Sequence, residues 1–168
     1  MALILFTEMT AQAFQKYKKQ SQHQYAKAMC REGEYPDLQS ALVAAKKEVN
    51  AFYTSSPHYA YFVYNVSLKN SAVILGQLAF SIAQDQTMAF VINLDIKMAH
   101  RRKGYAFQAM TALEERLKKS GIQKIKLGVM SHNKQAQALY QKLGYDVIEQ
   151  WRSGSATHHS RLLMEKAL

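Results

Sequence analysis

The chain has 168 residues, of which 48% are hydrophobic and 20% charged, and it carries a formal net charge of +10. This composition excludes an intrinsically disordered chain, and the length predicts one globular domain that buries a core of its own. The positive charge favours anionic partners, namely nucleic acid, a phosphorylated cofactor or an acidic surface, without choosing among them.

Cysteine content and apolar runs bound the cellular setting. The single cysteine, Cys30, excludes an intrachain disulfide, and without a cysteine cluster we expect no metal site. The N-terminal segment MALILF is too short for a secretory apolar core, and no run reaches membrane-spanning length. We therefore expect a soluble, cytoplasmic protein without a membrane partner.

The predicted elements follow the order β-α-α-β-β-β-α-β-α-β-β, which is typical of a mixed α/β domain. Thr10 and Asp37 are good N-caps for the first two helices. Runs rich in Val, Ile, Phe and Tyr predict the strands. In chain order the ranges are strand 1–6, helix 10–31, a helix from 38 to the SSP segment at 55–57, strands 59–67, 72–83 and 88–98, helix 104–119, strand 122–130, helix 134–143, and strands 145–152 and 159–167.

The run MAFVINLDIKM is the most apolar of the predicted strands. Its almost continuous apolar character predicts a central position with both faces covered. Period-two alternation places Asn93 and Asp95 on one face, and Ile92, Leu94 and Ile96 on the other. Only one of these faces can serve a binding site.

A basic loop, HRRKGYA, joins that strand to the next helix. The first turn of a helix exposes unpaired N–H groups and the positive end of the helix dipole, and both attract anions. Gly104 and Ala106 leave room for a phosphate beside the backbone, and Arg101, Arg102 and Lys103 add long-range attraction. Neither GxxxxGK[S/T] nor GxGxxG occurs here, which excludes those two nucleotide motifs. A solvated basic loop is the alternative interpretation.

Two signatures, in this order, resemble those of the GCN5-related N-acetyltransferase (GNAT) superfamily. The first, Arg/Gln-x-x-Gly-x-Gly/Ala, is matched by Arg101, Gly104 and Ala106. The second, Asn-x-x-Ala-x-x-Leu-Tyr-x-Lys-x-Gly-Phe/Tyr, is matched by the segment 133–145. One helix and one strand separate the two signatures, as in the family. Many members have glycine at the position of Arg102, which is the departure here.

The resemblance covers residues 1–168 as a single N-acetyltransferase domain and implies both a fold and a cosubstrate. The implied fold is α/β (α+β), with a mixed, mostly antiparallel sheet of about seven strands flanked by about four helices. The central strands are implied to splay apart and to hold acetyl-CoA in the cleft. The residues implied to bind acetyl-CoA are Ile96 and Met98 through their backbone, the loop of Arg101, Arg102, Lys103, Gly104, Tyr105 and Ala106 at the pyrophosphate, and Asn133 at the cofactor's arm.

The resemblance also implies direct transfer of an acetyl group from acetyl-CoA to a primary amine of a small molecule or peptide. Tyr140 corresponds to the family's tyrosine near the thioester sulfur. A phenol with a pKa near 10 is a weaker acid than a thiol near 8.5, so full proton transfer is uphill by roughly 2 kcal/mol. We therefore expect Tyr140 to stabilise the developing thiolate through a hydrogen bond. The alternative is a half-buried packing residue.

A general base is harder to identify. An alkylammonium must lose its proton before it attacks, which costs on the order of 4–5 kcal/mol at pH 7. Asp95 lies on the central strand beside the implied cleft, where family members sometimes place an acidic base. The alternative is a carboxylate that faces away from the cleft and is satisfied by its neighbours. His158 and His159, in the loop before the last strand, and Glu8 are further candidates.

Two other functions fit parts of the sequence. A GNAT-like protein that binds acyl-CoA without catalysis, as a sensor, matches the same signatures. A nucleic-acid-binding protein would explain the net charge, but no recognition motif is present and packing explains the tyrosines better. No motif identifies the acceptor, for which the many cations suggest an anionic or polar compound. The oligomeric state is open between a monomer and a homodimer.

Overall fold

The computed structural model describes residues 3–54 and 56–168. Met1 and Ala2 of the predicted first strand, and Ser55 of the predicted stop after the second helix, lie outside the described residues. The elements in chain order are β1 (Ile4–Glu8), α1 (Ala11–Arg31), α2 (Leu38–Phe52), β2 (Tyr59–Leu68), β3 (Ile74–Ala83), β4 (Met88–Ile96), α3 (Tyr105–Lys119), β5 (Lys124–Met130), α4 (Lys134–Lys142), β6 (Asp146–Trp151) and β7 (Arg161–Ala167).

The seven described strands form one sheet in the order β1-β2-β3-β4-β5-β7-β6. Every neighbouring pair is antiparallel except β4 with β5, which is parallel. Side chains of α3 and α4 pack on one face of the sheet, and those of α1 and α2 pack on the other. The mixed, mostly antiparallel sheet with four helices confirms the fold that the resemblance implied.

Local signals in the sequence fix where the first two helices begin. The Thr10 hydroxyl accepts a hydrogen bond from the backbone N–H of Ala13, and the Asp37 carboxylate accepts one from Ser40. Both caps agree with the prediction, because a side-chain oxygen satisfies an N–H that the first turn leaves free. Among the described helices, none is both long and apolar enough to cross a bilayer.

The two central strands separate partway along their length. The parallel register of β4 and β5 ends at Val91 opposite Leu127, although β4 continues to Ile96 and β5 to Met130. Each strand keeps its antiparallel neighbour on the other side, β3 for β4 and β7 for β5. The backbone beyond the last pair therefore faces an open split, which confirms the splayed central strands.

A β-bulge in β4 changes the face to which one predicted residue points. Val91 and Asn93 pair with consecutive residues of β3, so Ile92 between them is an extra residue without a partner there. Ile92 packs with the α1 and α2 side, whereas Leu94 packs with the α3 side. The prediction that these two residues share a face is wrong, because the extra residue shifts the alternation by one.

β4 also ends earlier than predicted. The backbone N–H of Lys97 donates to the Leu75 carbonyl, and residues 98–100 then form a short 3-10 turn. Met98, which was expected on the strand, begins this turn, and its side chain is 81% exposed. The placement of Met98 on the strand is therefore wrong, because the chain turns away from β3 after Lys97 to reach α3.

Candidate active site

A cavity of about 460 Å³ lies where β4 and β5 separate, on the face covered by α1 and α2. This volume is in the range of small-molecule sites. Asn93, Leu94 and Asp95 of β4 form one wall, and residues 128–130 of β5 with Asn133 form another. Five aromatic side chains also line it, and they are Tyr25, Phe52, Tyr53, Phe90 and Trp151.

The loop between β4 and α3 presents a row of free backbone N–H groups. From Arg102 to Phe107, no backbone N–H donates to an acceptor in the part of the chain that the structure describes. The first to do so is that of Gln108, which donates to the Gly104 carbonyl at 3.1 Å. With the positive end of the α3 dipole beside them, these groups fit an anion such as a pyrophosphate.

The backbone of this loop is left-handed at two positions. Gly104 has a φ of +78°, and Arg102 has a φ of +64°. Within 4 Å, a Cβ at Gly104 would meet only Gln108 Nε2, at 3.7 Å, so the space beside this backbone is open, while the positive φ disfavours a larger residue there. At Arg102 the sequence has a side chain where the backbone favours glycine, which gives a physical reason for the glycine found in many family members.

Two of the three cations in this loop donate hydrogen bonds to groups at the end of β4 and in the turn that follows it. Arg101 donates from Nε to the Ile96 carbonyl at 2.6 Å and from Nη2 to Asp95 Oδ1 at 3.1 Å. Lys103 donates to a carbonyl of the preceding turn at 3.3 Å. The Arg102 side chain makes no hydrogen bond within the described residues. Arg102 and Lys103 both lack a carboxylate partner within the described residues, so both charges can attract an anion at long range, and the Arg102 side chain is also free to move.

Asp95 borders the cavity, as expected of a general base, and it is also paired with a neighbouring side chain, as expected of a satisfied carboxylate. Its side chain lines the cavity and is 27% exposed, yet one carboxylate oxygen forms the ion pair with Arg101. Asn133 also has two contacts, because it lines the cavity while its side-chain oxygen accepts from the backbone N–H of Ala136 at 3.1 Å. The amide nitrogen of Asn133 is left for a ligand.

Tyr140 lies in α4, within the core on the α3 side of the sheet, and it is not among the residues that line the cavity on the other face. It is 8% exposed, and its ring meets that of Tyr145 edge-on with the centroids 5.7 Å apart. Burial raises the pKa of Tyr140 to about 12. The hydroxyl is therefore protonated at neutral pH, and it has no hydrogen-bond partner among the residues described.

Asn93 is fixed on the cavity wall by a chain of hydroxyl groups. Its Nδ2 donates to the Tyr17 hydroxyl at 3.0 Å, and that hydroxyl lies 3.1 Å from the Tyr53 hydroxyl. Burial raises the pKa of Tyr53 well above its usual range, so this phenol is neutral. These contacts orient the Asn93 amide beside the bulge in β4.

A buried carboxylate, which no motif in the sequence indicates, lies between α1 and α2. Glu32 is 2% exposed and accepts hydrogen bonds from the Ser131 hydroxyl, from the backbone and ring of His132, and from the His158 ring at 2.9 Å. Burial acts to raise the pKa of Glu32, but hydrogen bonds from His158, His132 and Ser131 together lower it to about 2. His158 is thus bound to a carboxylate and does not line the cavity, and neither do His159 and Glu8.

A second buried carboxylate, Glu34, pairs with Arg161 at the start of β7. Arg161 donates from Nε and Nη2 to the two oxygens of Glu34, at 2.8 and 2.7 Å. Its Nη1 donates to the Tyr25 hydroxyl at 2.7 Å and to Glu48 at 3.1 Å, and Nη2 also approaches Glu48 at 3.5 Å. Every N–H group of this guanidinium therefore has an acceptor.

The family model and the two sequence relatives that match this chain are all described as acetyltransferases. The model of the acetyltransferase (GNAT) family matches residues 15–145. YycN of Bacillus subtilis, named an uncharacterized N-acetyltransferase, is 28% identical over 147 residues, covering 84% of this chain and 92% of YycN. YdgE of the same bacterium, with the same description, is 27% identical over 141 residues, covering 82% of this chain and 88% of YdgE.

Solved structures agree with the sequence relatives. The crystal structure of YycN superposes with a TM-score of 0.81 at 25% identity, covering 92% of this chain and 99% of that one. A Bacillus subtilis acetyltransferase solved in complex with CoA has a TM-score of 0.62 at 15% identity and covers 100% of this chain and 99% of its own. At that identity the second likeness shows the fold alone.

Proposed function

This chain belongs to the acetyltransferase (GNAT) family, and we propose that it moves an acetyl group from acetyl-CoA directly to a primary amine of a small molecule or peptide. The observation that carries the proposal is the row of free N–H groups from Arg102 to Phe107 beside the open split between β4 and β5. The row of N–H groups suits the pyrophosphate of acetyl-CoA, and the split between the strands suits the cofactor's extended arm, which would end in the cavity.

The residues present fit acetyl-CoA, which supplies the activated acyl group. Backbone N–H groups of the loop from Arg102 to Ala106 would hold the pyrophosphate, and Arg101 keeps that loop against the end of β4. The unpaired backbone of β4 up to Ile96 and the free amide nitrogen of Asn133 would hold the arm. A Bacillus subtilis acetyltransferase with the same fold was solved in complex with CoA, which supports CoA as the kind of ligand that this fold takes.

In the proposed reaction the amine nitrogen attacks the thioester carbonyl carbon. A C–N bond forms and the C–S bond breaks, the amine gives up one proton, and the CoA thiolate takes one up. Asp95 is the carboxylate among the described residues that line the cavity, so we assign it as the acceptor of the amine's proton. With a pKa of about 12 against about 8.5 for a thiol, Tyr140 would lose its proton at a cost of about 5 kcal/mol, so we assign it a hydrogen bond to the thiolate.

Acetyl-CoA binding and thiol release test this proposal. Gly104→Val should abolish the rise in melting temperature that acetyl-CoA causes, because a β-branched residue strains the left-handed backbone that presents the free N–H groups and adds bulk to the open space beside it. Arg102→Ala should only weaken that rise, since it removes long-range attraction. Melting without ligand shows that each variant is folded, and Gly104→Ala separates backbone strain from bulk.

The outcomes distinguish the alternatives. Greater damage from Arg102→Ala than from a folded Gly104→Val would contradict the backbone site. Acetyl-CoA binding without thiol release in the presence of any amine would favour the non-catalytic sensor.

A further inference from the structure

The residues that line the cavity do not share the strong positive charge of the whole chain. The chain carries a net charge of +10, yet Arg161 is the only cation among the described residues that line the cavity. All of its N–H groups are engaged by Glu34, Glu48 and Tyr25. The cavity therefore offers no free cation to a carboxylate.

Arg161 and the two carboxylates that bind it, together called the Arg161 wall, carry a net negative charge. One guanidinium faces two carboxylates, Glu34 and Glu48, which leaves one negative charge in excess. The neighbouring Tyr25 hydroxyl does not change this balance, because burial raises its pKa above the usual range even though Arg161 acts to lower it. Glu34 and Glu48 lie behind Arg161, and Asp95, the acidic group among the described residues that line the cavity, has Arg101 as its counter-ion.

Aromatic side chains line much of the rest of the cavity, beside aliphatic residues such as Ala28 and Val49. Phe52 and Phe90 stack with their planes 15° apart and their centroids 6.4 Å apart. Tyr25, Tyr53 and Trp151 complete the aromatic lining. Aromatic faces attract cations and bury flat apolar groups, whereas a carboxylate left without a partner in such a cavity loses its hydration uncompensated.

Building on the proposed acetyl transfer, we propose that the acceptor is an arylalkylamine-like compound, with a cationic amine, a flat aromatic body and no carboxylate. The aromatic walls take the ring, the negative balance around Arg161 favours the ammonium before it loses its proton, and the engaged guanidinium rejects a carboxylate. This differs from the anionic or polar acceptor that the composition suggested, because Arg161 is fully engaged and the other cations of the described chain do not line this cavity.

Three matched compounds test the acceptor class through kcat/KM for CoA release. The reference is 4-(aminomethyl)benzamide. The compound 4-(aminomethyl)benzoate differs from it only in its carboxylate, and trans-4-(aminomethyl)cyclohexanecarboxamide differs only in its saturated ring. We expect the reference to exceed the carboxylate at least about 10-fold, since unpaired or like charges cost that much or more in a desolvated site, and the saturated compound about 3-fold or more.

Glu48→Gln tests whether the Arg161 wall causes the preference for the benzamide over the benzoate. This change removes the excess negative charge and releases donors of Arg161, so the ratio between benzamide and benzoate should fall at least about 3-fold. Glu115→Gln, at an exposed glutamate of α3 away from the cavity, is the matched control and should leave the ratio unchanged. An unchanged ratio in Glu48→Gln would overturn the role given to this wall.

Other results separate this inference from the proposed function. Equal or better use of the benzoate or of the saturated compound would refute the acceptor class while leaving acetyl transfer intact. CoA release with another amine but with none of the three compounds would also refute the acceptor class and leave acetyl transfer intact. Acetyl-CoA binding with no thiol release for any amine would instead remove the proposed function, and the acceptor class with it.

Discussion

At the scale of single residues, burial decides what the Tyr140 hydroxyl can do. With its pKa raised to about 12, it stays protonated throughout the range in which enzymes are usually assayed. A phenol that does not ionise can still donate a hydrogen bond to a negative atom. Tyr140 is therefore suited to stabilising a leaving thiolate and poorly suited to giving its proton away.

Tyr140→Phe should lower kcat about 10- to 100-fold, because it removes one donor from the developing negative charge. Acetyl-CoA affinity should stay near the wild-type value, and the shape of the pH–rate profile between pH 6 and 9 should not change. Steady-state kinetics across that range measure all three, with Tyr59→Phe, at a half-exposed tyrosine of β2, as the control. Wild-type turnover in Tyr140→Phe would remove this role.

At the scale of elements, the connection from β4 to α3 carries more constraint than its sequence reveals. The left-handed backbone at Arg102 costs a residue with a side chain roughly 1 kcal/mol. The same residue carries a loop cation whose side chain makes no hydrogen bond within the described residues. Backbone strain and favourable charge thus meet at one position.

Arg102→Gly and Arg102→Ala separate these two effects, because both remove the same charge. We expect the free energy of unfolding to be about 1 kcal/mol higher in the glycine variant than in the alanine variant. Urea denaturation of the ligand-free proteins measures this difference. Acetyl-CoA affinity should fall by a similar factor in both variants. An alanine variant as stable as the glycine one would show that the left-handed conformation costs nothing there.

At the scale of the whole molecule, Glu32 joins three connections that are distant in sequence. It lies between α1 and α2, and its partners His132 and His158 lie in the connections after β5 and after β6. Because the folded state lowers its pKa from 4.5 to about 2, the ionised carboxylate stabilises the fold. That contribution is complete above pH 4.5 and is lost as the pH falls towards 2.

Glu32→Gln should therefore destabilise the protein on the order of 3 kcal/mol at pH 6, and by progressively less as the pH falls below 4.5. Urea denaturation at pH 6, 4 and 3 gives the difference in free energy of unfolding from the wild type. Glu115→Gln corrects for the general effect of acid. A difference that is the same at pH 6 and pH 3 would contradict the link to ionised Glu32.

Signals that act over a few residues were sufficient to predict most of the fold. The caps at Thr10 and Asp37, the apolar periodicity and the two signatures each depend on near neighbours along the chain, so the order of elements could be predicted. The extra residue Ile92 could not, because alternation assumes a regular ladder and a bulge depends on the register with β3.

The polar part of the site was less predictable for the same reason. Loop carboxylates such as Glu32 and Glu34 are usually solvated, and nothing in the segment REGEYP marks them as buried. Their partners lie far along the chain, so only the folded backbone brings them together. The basic loop could be located from its sequence, whereas the engagement of Arg101 by Ile96 and Asp95 could not.

The buried carboxylates also constrain the order in which the chain can fold. Glu32 and Glu34 meet His132 and Arg161 across sequence separations of 100 and 127 residues. β7 carries Arg161 and is last in the chain, yet it lies between β5 and β6 in the sheet. Contacts of such long range form slowly, because the intervening chain must close first. The carboxylate of Glu34, in the turn between α1 and α2, therefore gains its ion pair only once β7 has taken its place between β5 and β6.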